Sequence, residues 1–144
     1  MATFHDVFEN RIRFEETDME GVAFYGNYVT YQDETFNSFI REAGYGYDRL
    51  REAGWALRVV NVDLDYRAGA TFGDELVHGM YAERFGGSSM TFAYRGRRAD
   101  DGAGVVSGSV THVAIDAETG ESTRVPEEFR EAIVAFQDER PEGA

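Results

Sequence analysis

A chain of 144 residues with 27 Asp and Glu against 14 basic residues, every one of them Arg, carries a formal charge of -13. Such a surface repels phosphate backbones and anionic membranes, which argues against nucleic acid or a lipid surface as partner. With no Cys, and with His only at positions 5, 78 and 112, the composition excludes disulfides and thiolate chemistry, and no metal site is expected.

The length fits a single domain, residues 1–144, able to bury roughly 70% of its unfolded surface around one core. A first strand is expected from about Val7 to Glu16, with Phe8, Ile12 and Phe14 on its apolar face and Asn10 and Glu16 interrupting that face. A long helix follows from Asn27, a good N-cap residue, to Ala43, where Gly44 can end it. Its core stripe is Tyr28, Gln32, Phe36, Phe39, Ile40 and Ala43, with Thr30, Glu34, Asn37 and Arg41 on the other side. A short helix is expected over Asp48–Ala53. Four strands are then expected over Ala56–Tyr66, Glu75–Phe85, Ser89–Arg98 and Val105–Ile115, separated by Gly-rich or Asp-rich turns. Pro126 opens a last helix with Phe129, Ala132, Ile133 and Phe136 on one face, and the polar tail from Gln137 is expected to fray. One strand, one long helix and four successive strands favour an α+β fold with an antiparallel sheet over alternating βαβ units. The N-terminus has no charged-then-apolar signal pattern and no apolar run is long enough to span a membrane, so cytoplasmic residence is the default expectation.

Between the first strand and the long helix lies Phe14-Glu-Glu-Thr-Asp18-Met-Glu-Gly21-Val-Ala-Phe-Tyr25-Gly-Asn27-Tyr28. It sets one carboxylate in a turn beside the N–H groups of a helix start. That carboxylate can simply satisfy turn N–H groups and complement the helix dipole, or it can do chemistry. The segment resembles the active-site signature of the 4-hydroxybenzoyl-CoA thioesterase family of hotdog-fold enzymes: Asp18, Gly21-Val22, the aromatic pair Phe24-Tyr25, then Asn27-Tyr28. The resemblance runs on through Asp65-Tyr66 to Gly73-Asp74-Glu75-Leu76, through Gly87-Ser88-Ser89-Met90-Thr91-Phe92, and through Thr111–Asp116, Thr119-Gly120 and Val125-Pro126. Tyr25 stands where many relatives carry His, and Tyr at that place instead resembles the branch that gives the family its name. Phe36 replaces a frequent Arg, and Gly69 replaces the usual Pro.

The resemblance implies an antiparallel sheet wrapped around the long central helix, and hydrolysis of an acyl-CoA thioester without a cofactor. Asp18 would act as nucleophile or general base, both roles needing an ionised carboxylate near the carbonyl. The backbone N–H of Tyr25, with the helix dipole behind it, would polarise the thioester carbonyl. Asn27 is expected at the substrate, Asp33 at the acyl pocket, and Arg84, Ser88 and Ser89 at the pantetheine or the phosphates of CoA. Sites in this family form between two subunits, so a homodimer or homotetramer is expected. A non-catalytic acyl- or ligand-binding protein on the same scaffold is the alternative, and a hotdog dehydratase would need His112 or His78 to face the helix start. The Lys-free, acid-rich composition also resembles proteins of salt-loving organisms, in which salt screens self-repulsion.

Overall fold

The computed structural model describes residues 3–144. Its elements in chain order are β1 (His5–Arg11), a 3-10 turn (Phe14–Glu16), α1 (Asn27–Glu42), α2 (Tyr47–Glu52), β2 (Trp55–Tyr66), β3 (Glu75–Phe85), β4 (Ser89–Arg98), β5 (Gly104–Asp116) and α3 (Glu127–Gln137). The five strands form one antiparallel sheet in the order β1-β3-β4-β5-β2. One face of that sheet closes over α1: Phe36 meets Phe92 edge-on at 5.1 Å and stacks on His112 at 3.9 Å, while Phe39 meets Phe92 at 5.6 Å. This is the α+β hotdog architecture, an antiparallel sheet wrapped around a long central helix.

The expected stripe of α1 is buried at Tyr28, Gln32, Phe36, Phe39 and Ile40, and Tyr31, Thr35 and Ser38 join it. A curved sheet covers more of a helix than a flat one, which widens the buried arc beyond a narrow stripe. Asn10, an interruption of the apolar face in the sequence, is the polar partner that the interior needs. His78 is wholly buried between Asn10 Oδ1, 2.6 Å from Nε2, and the Tyr94 hydroxyl, 2.8 Å from Nδ1. An amide oxygen only accepts, so Nε2 carries the proton and Nδ1 accepts from Tyr94. Burial lowers the His78 pKa to about 4, which keeps this imidazole neutral.

Two sequence expectations are corrected. The first strand ends at Arg11 rather than running to Glu16, because its last partner is Glu75, the first residue of β3. Ile12 still exchanges backbone bonds with Gly73 and Asp74 and is fully buried, but the chain then bends into the 3-10 turn and leaves Phe14 76% exposed. The tail from Gln137 is held, not frayed. Gln137 is buried, with its amide exchanging bonds of 2.9 and 3.0 Å with Ala82 N and O, and Phe85 N donates to Glu142 O at 2.7 Å. β1 pairs with β3 only as far as Met80, so the free edge beyond it is available to the tail. β2, at the other end of the sheet, pairs only with β5 and exposes Val59, Val60, Val62 and Tyr66.

Candidate active site

Asp18 sits in a tight turn between the 3-10 segment and α1. Its backbone N–H donates to Val22 O at 2.8 Å and its carbonyl accepts from Gly21 N at 3.0 Å. Gly21 supplies the turn's positive φ of 81°, a conformation that a side chain would strain. One carboxylate oxygen, Oδ1, accepts from Glu20 N at 2.8 Å and lies 3.4 Å from Val22 N. The other, Oδ2, has no protein donor among the described residues.

The start of α1 differs from expectation in a way that bears on the site. Gly26 is the N-cap and Asn27 the first helical residue, and the Asn27 side chain caps nothing. Its Nδ2 instead donates to Glu16 O at 2.9 Å, and Phe24 N donates to the same carbonyl at 2.8 Å. The helix start is thereby tied to the segment leading into Asp18. The Glu16 side chain completes the tie, accepting from the Tyr31 hydroxyl at 2.7 Å and from Arg13 Nε at 2.7 Å. Burial alone would raise the Glu16 pKa, but the Tyr31 and Arg13 donors outweigh it and hold the carboxyl below its usual range. Burial, then the bond to Glu16, pushes the Tyr31 phenol up, so the pair persists as carboxylate and phenol.

In the first turn of α1, Asn27 N, Tyr28 N and Val29 N fold back on Phe24 O, Tyr25 O and Gly26 O. Neither Tyr25 N nor Gly26 N has an acceptor among the described residues. Asp18 and Tyr25 line one cavity of about 350 Å³ together with Val22, Tyr28, Tyr66, Arg67 and Gly69. Tyr66 fixes the far wall, its hydroxyl donating to Tyr25 O at 3.0 Å. A Cβ at position 69 would come 2.9 Å from Val22 Cγ1, so the glycine here makes room beside the Asp18 turn. Arg67 and Tyr31 carry no signal in the sequence, and Tyr66 and Glu16, though named there, are not expected at the site. Their roles depend on contacts across many residues, and no local pattern announces them.

Asp33 lines a second cavity, of about 340 Å³, between α1 and the β2–β5 edge of the sheet, with Val29, Gln32, Phe36, Val62 and His112 in its walls. Burial, and secondarily Glu34, raises the Asp33 pKa. The expected CoA-binding residues lie elsewhere within one chain. Arg84, bonded to Thr91 Oγ1 at 3.3 Å, and Ser88 and Ser89 stand at the β3–β4 turn, opposite the end of β3 that meets the Asp18 region. From Glu75 to Arg84 the strand spans about 30 Å at about 3.3 Å per residue. Neither histidine faces the helix start: His112 stacks on Phe36 and His78 packs on Tyr31. Among the described residues no cluster of potential ligands could hold a metal, and no helix is long and apolar enough to cross a membrane.

A five-stranded antiparallel sheet closed over one long helix places this protein in the hotdog class of folds. Residues 12–133 match the model of the thioesterase-like superfamily, and the chain belongs to that family. It is 25% identical over 127 residues to YneP of Bacillus subtilis (strain 168), provisionally named an acyl-CoA thioesterase, with 87% of each chain covered. Among solved structures, a 1,4-dihydroxy-2-naphthoyl-CoA thioesterase from Synechocystis superposes with a TM-score of 0.80 at 19% identity, covering 89% of this chain and 94% of its own. A Staphylococcus aureus protein in complex with CoA superposes with a TM-score of 0.85 at 16% identity, covering 100% of this chain and 90% of its own.

Proposed function

We propose that this chain hydrolyses an acyl-CoA thioester at the cavity shared by Asp18 and Tyr25. The observation that carries the reading is that one cavity holds a carboxylate oxygen with no donor and a backbone N–H with no acceptor among the described residues. With the thioester carbonyl oxygen on Tyr25 N–H, the charge developing on that oxygen meets a fixed donor and the positive end of α1. Asp18 Oδ2 then either attacks the carbonyl carbon and expels the CoA thiolate, leaving a mixed anhydride that water cleaves to the free acid and the regenerated carboxylate, or takes a proton from a water that attacks the carbonyl and expels the thiolate. The tie from Asn27 and Glu16 holds carboxylate and donor in one relative position, which is the source of an orientation advantage.

Two further features support a homodimer or homotetramer. β2 leaves the backbone groups of its outer edge unpaired and flanks them with exposed valines, a template for a second copy. Arg84, Ser88 and Ser89 would reach the Asp18 end of the molecule only from another chain. Asn27 in this reading supports the site through Glu16, and Asp33 faces the acyl group. The engagement of Asp18 Oδ1 by its own turn favours a second reading, a non-catalytic acyl-CoA-binding protein in which the carboxylate is structural.

Thiol release from a panel of aliphatic and aromatic acyl-CoA esters, at low and high salt, separates the two. Wild type is expected to turn over at least one ester, and Asp18→Asn to lose about a hundredfold or more in kcat, since positioned acids and bases contribute that much. The amide oxygen of Asn can still accept from Glu20 N, so the turn survives the change. Mutant activity within about tenfold of wild type would remove Asp18 from the chemistry.

A further inference from the structure

Tyr25, whose N–H faces the thioester carbonyl in the reading above, is 64% exposed, so packing does little to hold it. Its backbone is held by hydrogen bonds. The peptide unit that carries Tyr25 N–H is fixed through its other end, where Phe24 O accepts from Asn27 N at 2.9 Å. The next unit is fixed through Tyr25 O, which accepts from Tyr28 N at 3.3 Å and from the Tyr66 hydroxyl at 3.0 Å. Among the described residues no other side chain bonds the backbone of Tyr25.

Peptide units are planar, so the two units that meet at the Tyr25 Cα are related only by the φ and ψ of that residue. Holding both units therefore holds the direction of Tyr25 N–H. The bonds from Asn27 N and Tyr28 N come from the helix start itself, whereas the bond from Tyr66 comes from the sheet. Tyr66 is the last residue of β2, opposite Val106 of β5, and the next N–H, that of Arg67, donates to Val105 O at 2.8 Å. The Tyr66 ring meets the ring of Tyr28 edge-on at 5.6 Å, and Tyr28 is buried. The hydroxyl thus carries the stiffness of the sheet to an exposed residue of the helix start.

We propose that Tyr66 is a positioning residue for thioester hydrolysis, acting through Tyr25 O to aim Tyr25 N–H at the carbonyl oxygen. The inference rests on the reading of Asp18 and Tyr25 N–H as the pair that meets the thioester. A donor aimed in advance needs no reorganisation as charge develops, whereas a misplacement of about 1 Å can cost about a hundredfold in rate. Without the hydroxyl, Tyr25 O keeps the longer bond from Tyr28 N, so the loss should be smaller, about tenfold. It should fall on kcat, because the aim of the donor matters most in the transition state. A Tyr66 that served only as a wall of the cavity would act on KM instead, and one that served only the fold would act on the melt.

Tyr66→Phe, together with a variant carrying para-aminophenylalanine at position 66, tests the proposal. The amine restores an N–H donor where phenylalanine has none. Two quantities are read: kcat and KM on the acyl-CoA ester that wild type turns over fastest, and the NMR shift of the Tyr25 amide proton on adding dethia analogues of acetyl-CoA and benzoyl-CoA, ketones in which a methylene replaces the sulfur. Wild type is expected to show a downfield shift of that proton with at least one analogue, as an N–H taking up a carbonyl acceptor does. Tyr66→Phe is expected to lose most of the shift and about tenfold in kcat, with KM within about twofold and a cooperative melt, and the amine to restore both. A folded Tyr66→Phe that keeps kcat within about twofold, or that keeps the amide shift, overturns the proposal, as does an amine variant no better than phenylalanine. In each of those cases hydrolysis by wild type leaves the thioesterase reading standing. If wild type hydrolyses no ester, that reading falls and the amide shift alone decides. A shift that shrinks in Tyr66→Phe keeps Tyr66 as the residue that aims a carbonyl-binding N–H, and no shift, or an equal one in both proteins, overturns it.

Discussion

His112→Phe should stabilise the protein, and the gain should grow as pH falls. The ring of His112 is stacked on Phe36, so phenylalanine can keep the contact while removing two nitrogens that have no partner among the described residues. At pH 7.5 the variant is therefore expected to be at least as stable as wild type, by up to about 1–3 kcal/mol for a relieved unsatisfied group. Proton linkage adds to this at lower pH. Burial takes the folded-state pKa from 6.5 down to about 4, so between those values the unfolded chain binds a proton that the native state refuses. Wild-type stability is unaffected above pH 6.5 and declines as pH falls through that window. The decline attributable to this one ring is about 2 kcal/mol by pH 5, and it levels off near 3 kcal/mol below pH 4, at about 1.36 kcal/mol per unit. Urea denaturation of both proteins at pH 7.5, 6.5, 5.5 and 5 measures the difference, in which the many carboxylates common to both chains cancel. Asp33 lines the same cavity, so the comparison is repeated in an Asp33→Asn background. A stability difference that stays constant within about 0.5 kcal/mol over that range would show that His112 is not held neutral by burial, and would refute the reasoning.

Tyr31→Phe should cost about 1–3 kcal/mol in chemical denaturation, because a partly buried Glu16 carboxylate loses a 2.7 Å donor. It should also lower kcat more than it raises KM, since it loosens the tie between Asp18 and the helix start. Gln137→Ala should open the C-terminal clasp on Ala82, seen as faster amide exchange over 137–144 and a loss of about 1–3 kcal/mol. With a formal charge of -13, the melting temperature should rise between 0.1 M and 1 M NaCl, as the Debye length shortens from about 10 Å to about 3 Å; an unchanged or lower value would contradict a surface adapted to salt. Light scattering should give a dimer or larger assembly, and an active monomer would contradict a site shared between chains.

Most of the fold was legible because its signals are local. β3 and β4 run over the residues expected, Glu75–Phe85 and Ser89–Arg98, since glycines and acidic turns punctuate them. α1 begins within a residue of its expected start and ends within a residue of Ala43, before a Gly44 with a φ of 86°. The carboxylate turn and the aromatic pair were equally legible, because Asp18 and Tyr25 are close in the chain and one cavity holds both. What sequence pattern cannot supply is who pairs with whom across the fold. The end of β1 was decided by where β3 begins, and the order of the tail by the β3 edge that β1 leaves open. Asn27 has the side chain of a helix cap, yet the carbonyl of Glu16 claimed its amide.

The amino-acid sequence by itself determined the class of fold, the acidic surface, the freedom from thiol chemistry, and the segment that carries Asp18, because each follows from composition or from short-range backbone preference. Only the tertiary structure decided that Tyr66, Arg67 and Gly69 face that carboxylate, and that Glu16 binds Tyr31. It alone separated two similar interior histidines, one with both nitrogens bonded and one with neither bonded among the described residues. The physical reason is that a hydrogen bond is made by atoms within about 3 Å of each other. Such distances between residues far apart in the chain exist only after the sheet has closed over the helix.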